Sequence, residues 1–302
     1  MPSRLLTAAG FTGSVGTCAL AYGCLYERNA FTLRRFDVPV LSPDAAPVRV
    51  LHLSDVHILA RQRRKQRWIR DLAALQPDLV VNTGDTLSGA DSISAVMYAF
   101  EPLFAFPGVF VPGNNDYFAP TPKLPTRYFR PAPPSPRGAP LPWPAMAAAM
   151  AHAGWLDLTH RRATVKAGSA RVALAGTDDP HLRRARYELI EGPAEPDADV
   201  RIGVTHSPEP ALLSRFAADG YDLVVAGHTH GGQVRVPFGP AIVTNCGIER
   251  TRARWLHAWD ERMWFHVSAG LGTNPYSAIR FACRPEATLL TLVPADGRQR
   301  AA

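Results

Sequence analysis

Short apolar runs that stop at an Asp, Asn or His recur along this chain and set out most of its elements. Val48 to Ser54 is β-branched and apolar and reads as a strand delivering Asp55 and His57. Leu79 to Asn82 leads to Gly84-Asp85, and Val109 to Val111 leads to Gly113-Asn114-Asn115-Asp116. Ile202 to Val204 leads to Thr205-His206, and Leu223 to Val225 leads to Gly227-His228-Thr229-His230-Gly231. Open α/β sheets bind ligands beyond the carboxyl ends of their strands, so five such ends predict one shared pocket at one edge of a sheet. On extended backbone, residues two apart share a face, which predicts Asp55 beside His57 and His228 beside His230. A tight turn with two partly exposed histidines is the other reading of the last pair.

The rest of the pattern frames this pocket. Phe31 to Val40 alternates as an edge strand does, and Arg61 to Arg70 opens a helix that ends near Leu75, before Pro77. The basic residues of that helix, Arg61, Arg63, Arg64, Lys65, Arg67 and Arg70, fit either a solvated face or a patch that meets anionic lipid or substrate phosphate. Residues 119–145 are crowded with prolines and read as a surface loop or cap. A helix is predicted over Pro144 to Ala153, with Pro at its start. Ala163 to Lys166 and Arg171 to Ala175 form a predicted hairpin turning at Ala167-Gly168, and Asp178 and Asp179 read as turn or capping residues close behind the pocket.

Leu5 to Tyr26 carries no charge, a length that can span a bilayer, although its Gly, Ser and Thr also suit a signal peptide or a soluble helix. We expect a single-pass membrane anchor in residues 1–27 and one folded unit in 28–302. Arg4 and the amino terminus on one side balance Arg28, Arg34 and Arg35 on the other, so no orientation is specified. A chain of 302 residues with 46% hydrophobic and 20% charged positions buries a full core. The net charge of +7 favours anionic partners without selecting nucleic acid. Cys18, Cys24, Cys246 and Cys283 show neither a zinc-ribbon nor a disulfide-scaffold spacing and read as ordinary thiols.

Collected from the strand ends, Asp55, His57, Asp85, Asn114, His206, His228 and His230 make a mixed oxygen and nitrogen ligand set. That is too many for one tetrahedral ion and suits two adjacent ions bridged by a carboxylate, with Asp85 the natural bridge. Without thiolates the metals are Mn, Fe or Zn, divalent or mixed-valence.

The ordered blocks Asp-x-His, Gly-Asp, Gly-Asn-x-Asp, a lone His and Gly-His-x-His resemble the calcineurin-like metallophosphoesterases, over about Val48 to Val293. Gly231 to Pro237, Gly270-Leu271-Gly272-Thr273, Ile279-Arg280-Phe281 and Arg284-Pro285-Glu286 are similar to a bacterial, often membrane-associated branch that includes phosphodiesterases and lipid-pyrophosphate hydrolases. The resemblance implies a four-layer α/β/β/α sandwich. It also implies a first metal on Asp55, His57 and His230, a second on Asn114, His206 and His228, and Asp85 shared between them. A metal-bridging hydroxide would then attack phosphorus, with no covalent enzyme intermediate. The Arg61 to Arg70 run and the loop arginines are expected to complement the charge of the substrate.

One position departs from the family. Its third block usually carries a His after the Asn, where it protonates the leaving oxygen or stabilises charge, and here that catalytic position is Asn115. An amide donates a hydrogen bond but gives up no proton near neutral pH. The expected substrates are therefore phosphodiesters or pyrophosphate-linked, lipid-type molecules rather than alkyl monoesters. Two other readings stand beside this one: a binding scaffold that keeps the fold without catalysis, and a nuclease-type phosphodiesterase. The latter is less favoured, because the chain shows no aromatic and basic platform for single strands.

Overall fold

The computed structural model describes residues 16–122 and 137–295. The strands are β1 (Thr32–Leu41), β2 (Val48–Leu53), β3 (Leu79–Asn82), β4 (Gly108–Phe110), β5 (Leu156–Asp157), β6 (Arg161–Ala167), β7 (Ala170–Gly176), β8 (Val200–Val204), β9 (Leu223–Ala226), β10 (Trp255–Ala258), β11 (Trp264–Val267) and β12 (Glu286–Pro294). They form two six-stranded sheets, ordered β1-β12-β2-β3-β4-β5 and β10-β11-β9-β8-β7-β6. The strands that deliver the candidate ligands, β2, β3 and β4 in one sheet and β8 and β9 in the other, run parallel to their neighbours within each group.

Alternation along each strand explains the layering. In β2 and β3, Val50 and Val81 point between the sheets, while Leu51 and Val80 point outward. The outer face of the first sheet is covered by helices α1 (Arg63–Asp71), α2 (Ile93–Phe100) and α3 (Trp143–His152), through Ile69, Val96, Phe100, Met146 and Met150. The second sheet turns Val224, Phe265 and Val267 toward α4 (Pro210–Ala218), which contributes Leu213 and Phe216. The expected four-layer sandwich is therefore present: each central strand packs apolar side chains on both faces, which its continuous apolar run requires.

The edge strand at residues 31–40 is β1, which among the described residues pairs only with β12. The hairpin is β6 and β7, but Ala167 pairs with Ala170, so its turn residues are Gly168 and Ser169 rather than Ala167 and Gly168. The left-handed backbone of Gly168, at φ +59°, closes that turn. Most of the Pro-rich loop, residues 123–136, lies outside the described residues. Its stems do find a partner, since Phe118 bridges Pro140 in antiparallel fashion.

The basic helix is neither wholly solvated nor a uniform patch. Arg61, Arg63, Arg64 and Arg67 are exposed, but Lys65 is buried, and its ammonium donates to the Val56 carbonyl at 2.7 Å and to that of His57 at 3.4 Å.

At the amino end, residues 16–21 are helical and continue through Tyr22–Tyr26 and Glu27–Asn29. Residues 1–15 lie outside the described residues, and no described helix is long and apolar enough to cross a membrane. The Glu27 carboxylate is buried and accepts the Ala282 amide at 3.1 Å and that of Cys283. This latches the segment to the loop before β12.

Between the sheets, His52 of β2 meets His266 of β11, Nδ1 to Nδ1 at 2.9 Å, and the other His52 nitrogen lies 2.9 Å from the Thr83 hydroxyl. Burial lowers His52 to about 3, and burial together with His52 holds His266 well below its ordinary value. Both rings are thus neutral in the fold, whereas unfolded imidazoles protonate near pH 6.5. Their stabilising contribution is complete above that value and is lost as pH falls toward 3, at about 1.4 kcal/mol per pH unit for each ring. Urea unfolding at pH 7.5 and 5.5 checks this. His52→Leu should show a shallower pH dependence by about one proton, and equal slopes in the two proteins would refute the assignment.

Candidate metal centre

Each candidate ligand stands just past its strand, Asn114 at the start of the one-turn helix Asn114–Tyr117, His230 at the start of the helical turn His230–Gly232 and the others on loops. Extended backbone was expected there, and the structure corrects it. β2 ends at Leu53 and β9 at Ala226, and Asp55 (φ 47°), His57 (φ 43°), Asp85 (φ 53°), His228 (φ 67°) and His230 (φ 49°) all adopt left-handed backbone. Such conformations cost side-chain-bearing residues on the order of 1–3 kcal/mol each and collect at functional sites. The pairs meet at the cluster because of these turns, not because alternate residues share a strand face.

Loop-to-loop hydrogen bonds hold the turns in place. The Asp55 and His57 amides donate to the Gly84 and Asp85 carbonyls, each at 2.9 Å. The buried Asp116 carboxylate accepts the Thr86, Leu87 and Gly113 amides at 2.8, 2.9 and 2.9 Å, binding the Asp85 loop to the Asn114 loop. Two glycines permit the approach. A Cβ on Gly113 would sit 2.3 Å from an Asp85 carboxylate oxygen, and one on Gly270, already at φ +69°, would sit 2.5 Å from the Asp55 Cβ.

The side chains fall into two groups that share Asp85. In the first, Asp55, His57, Asp85 and His230 place one donor atom each within 4.8 Å of one another. His57 and His230 stack at 5.1 Å, with their Nε2 atoms 3.3 Å apart, and His230 Nε2 lies 3.4 Å from Asp55 Oδ1. In the second group, His206 Nε2 lies 3.3 Å from His228 Nδ1. Asp85 Oδ2 is 3.5 Å from His57 Nε2 and also 3.5 Å from His206 Nε2.

Three imidazoles turn their outer nitrogen to a backbone carbonyl: His206 Nδ1 to Thr83 at 2.8 Å, His230 Nδ1 to Gly272 at 3.3 Å and His228 Nε2 to Asn245 at 3.4 Å. A carbonyl accepts only, so the proton sits on the outer nitrogen and the inner one keeps its lone pair for a metal. Asp55 Oδ2 accepts the Ser54 hydroxyl at 2.6 Å and the His228 amide at 3.0 Å, while Oδ1 is buried with no hydrogen-bond partner, as is Asn114 Oδ1. Orphaned buried oxygens among inward-facing nitrogens are what a cation site leaves when described without its ion. The residues present fit divalent metal.

Burial and mutual charge divide the ionisation of the cluster. Burial raises Asp55 to about 6, and burial lowers His57 to about 4 and His228 and His230 well below their ordinary values. For Asp85 burial works upward, but His206, His57 and the Asn115 amide outweigh it and hold the carboxyl well below the usual range. For His206 burial works downward, but Asp85, Asp55 and Asp179 outweigh it and hold the ring well above its ordinary value. Neutral His57, His228 and His230 and ionised Asp85 are in the forms that bind metal, and an ion would have to displace the proton on His206.

Asn115 differs from expectation. Its backbone and side-chain amides both donate to Asp85, at 2.7 and 2.6 Å, so it braces that carboxylate as well as lining the cleft. The cleft, about 340 Å³, is otherwise lined by His181, Gln233, Asn245, Asn274 and an apolar wall of Val234, Ile242, Val243 and Ile279. No described lining residue is Lys or Arg, so the Arg61 to Arg70 run does not line the cleft; of the loop cations expected around it, Lys123, Arg127 and Arg130 lie outside the described residues. Sequence reasoning missed His181, whose ring lies 4.4 Å from that of His228, and Arg280. The only signals were a His just after Asp178-Asp179-Pro180 and an Arg quoted for its resemblance alone.

Known proteins resemble this chain along most of its length. A protein of Bacillus subtilis (strain 168) called uncharacterized protein YpbG is 28% identical, with 95% of each chain covered. Phosphodiesterase YaeI of Escherichia coli (strain K12) is 27% identical, over 95% of this chain and 96% of that one. Among solved structures, TT1561 of Thermus thermophilus aligns with a TM-score of 0.41 at 12% identity, covering 75% of this chain and 91% of that one. The profile for calcineurin-like phosphoesterases matches residues 48–232, from the first residue of β2 to the glycines after His230. It takes in every strand end that builds the cluster, and the chain belongs to the calcineurin-like phosphoesterase family, as a metal-dependent phosphoesterase.

Proposed function

We propose that the protein is a two-metal phosphodiesterase, held at a membrane by its N-terminal segment, acting on phosphodiesters or pyrophosphate-linked amphiphiles. The observation that carries this reading is the position of Asp85 Oδ2, equally distant from His57 Nε2 and His206 Nε2 and so shared by both ligand groups. Asp55, His57 and His230 would hold one ion and Asn114, His206 and His228 the other, with Asp85 common to both. Two ions held this way would supply a water of lowered pKa and would neutralise phosphoryl oxygens.

The chain's own residues select the substrate. At neutral pH a diester phosphate carries one charge and a monoester close to two, since its second pKa is about 6. A cleft whose described lining offers amides, imidazoles and an apolar wall, with no lysine or arginine, leaves compensation of the second charge to the metal ions alone. Asn115 reinforces this, because its amide is committed to Asp85 and has no proton to give a leaving alkoxide. Diesters with good leaving groups need neither. Membrane attachment is supported by the uncharged run Leu5 to Tyr26.

Metal-reconstituted enzyme should hydrolyse bis(p-nitrophenyl) phosphate faster than p-nitrophenyl phosphate. Asn115→His should raise the monoester rate relative to the diester rate by about tenfold or more, in keeping with the 10²–10⁴-fold range of general acid catalysis. A wild-type monoester rate above the diester rate would sink this reading.

A further inference from the structure

Beyond the metal cluster, the chain builds a closed turn, Val236 to Gly239, that carries a fully exposed phenylalanine. Phe238 is wholly exposed at φ +61°, and Val236 beside it is 55% exposed. The turn is not slack. Arg235, itself buried, donates from one guanidinium nitrogen to the Gly231 carbonyl at 2.7 Å and from the other to that of Gly239 at 2.9 Å. The Gly239 amide closes the turn onto the Val236 carbonyl at 2.8 Å. A left-handed Phe held outward by a buried guanidinium costs stability on two counts, backbone strain and apolar exposure, and nothing in the chemistry of the metal cluster uses it.

The turn has apolar company at the mouth of the cleft. Ile242 and Ile279 line the cleft itself, and Tyr276 is 60% exposed on the turn Pro275–Ser277. Gln233 donates to the Ser277 carbonyl at 2.7 Å, and Val234 bridges Phe281. Phe281 in turn meets Tyr22 edge to face at 6.2 Å, which brings in the exposed Leu25 and Tyr26 of the N-terminal segment. An exposed arginine is joined to the chain just after the turn: the Arg250 carbonyl accepts the Ala241 amide at 3.1 Å. An aromatic and aliphatic tip accompanied by an exposed arginine matches an anionic lipid surface, whose acyl boundary takes the apolar tip while its headgroups pair with the guanidinium.

We infer that the Val236 to Gly239 turn is a second membrane contact, inserting Phe238 below the headgroups of an anionic bilayer and setting the mouth of the cleft against that surface. A substrate then enters from the headgroup layer, phosphate toward the histidines and apolar portion along Val234, Ile242 and Ile279. Only this last step rests on the proposed phosphodiesterase activity; the lipid contact does not.

The test uses the full chain with Phe238→Trp, read as the difference from wild-type fluorescence, on phosphatidylcholine vesicles with and without phosphatidylglycerol. The expected result is a shift of the added emission to shorter wavelength, quenching by lipids brominated in the upper acyl chain, and a stronger effect with phosphatidylglycerol. A chain that sediments with vesicles while the signal of the introduced tryptophan stays unchanged would overturn the proposal and leave the N-terminal anchor standing. A shift that appears without vesicles and grows with protein concentration would also overturn it, in favour of a second copy covering the turn. Phe238→Ser should keep full hydrolysis of soluble bis(p-nitrophenyl) phosphate. If the wild type lacks that hydrolysis while the quenching persists, the enzymatic reading fails and the lipid contact survives.

Discussion

Asp85→Asn is expected to lower hydrolysis of bis(p-nitrophenyl) phosphate by about a thousandfold or more, with the fold retained. The carboxylate is buried, lies 3.5 Å from an imidazole nitrogen of each ligand group and accepts both amides of Asn115. An amide of the same shape keeps the packing but offers one acceptor where there were two. It also turns an N–H donor either toward the Asn115 amides, which need an acceptor, or toward the ions, which need a lone pair. Loss of a shared anionic ligand removes charge stabilisation worth several kcal/mol, and about 4 kcal/mol corresponds to a thousandfold. Bound metal, measured by plasma emission after reconstitution, should fall along with the rate. Activity within tenfold of wild type at full metal occupancy would show that Asp85 is not shared.

Arg280→Met should be the most damaging substitution outside the cluster. The Arg280 side chain is fully buried and donates to the carbonyls of Ala269 (2.7 Å), Gly270 (3.0 Å), Gly272 (2.6 Å) and Cys283 (3.3 Å). Methionine fills much of the volume and satisfies none of them, and each orphaned buried carbonyl costs about 1–3 kcal/mol before relaxation. After repacking, a net loss of about 3–5 kcal/mol is expected, or roughly 10 °C in Tm for a chain of this size. The damage should reach the cluster, because Gly270 packs on Asp55 and Gly272 accepts from His230. Calorimetry with and without metal checks both effects. A Tm within about 2 °C of wild type, less than about 1 kcal/mol at this size, would refute the role.

What the sequence made legible was the frame. Runs such as Leu79 to Asn82 and Leu223 to Val225 announce buried strands because every residue must be apolar, and a polar residue at the end of such a run has little to do there except chemistry. The grouping of Asp55, His57 and His230 around Asp85 followed from the resemblance, and the geometry brings those residues together. Conformation at the ligands was not legible. The two-residue periodicity holds only while the strand lasts, and Asp55, His57, His228 and His230 all lie beyond it. The fates of Lys65 and Arg280 were hidden for a related reason. A basic residue reads as exposed unless the carbonyls that capture it are known, and those come from segments remote in sequence or from loops without periodicity. The cleft wall of Val234, Ile242, Val243 and Ile279 belongs to such loops as well.

The left-handed backbone shared by Asp55, His57, Asp85, His228 and His230 has a consequence for how this protein can be improved. Each of these positions would rest more comfortably as glycine, which adopts such angles freely. A search that rewarded thermal stability alone would therefore be drawn to the five residues that must not change. It would return a sturdier sandwich with an inert rim, so any programme of stabilisation here has to hold these codons fixed from the outset.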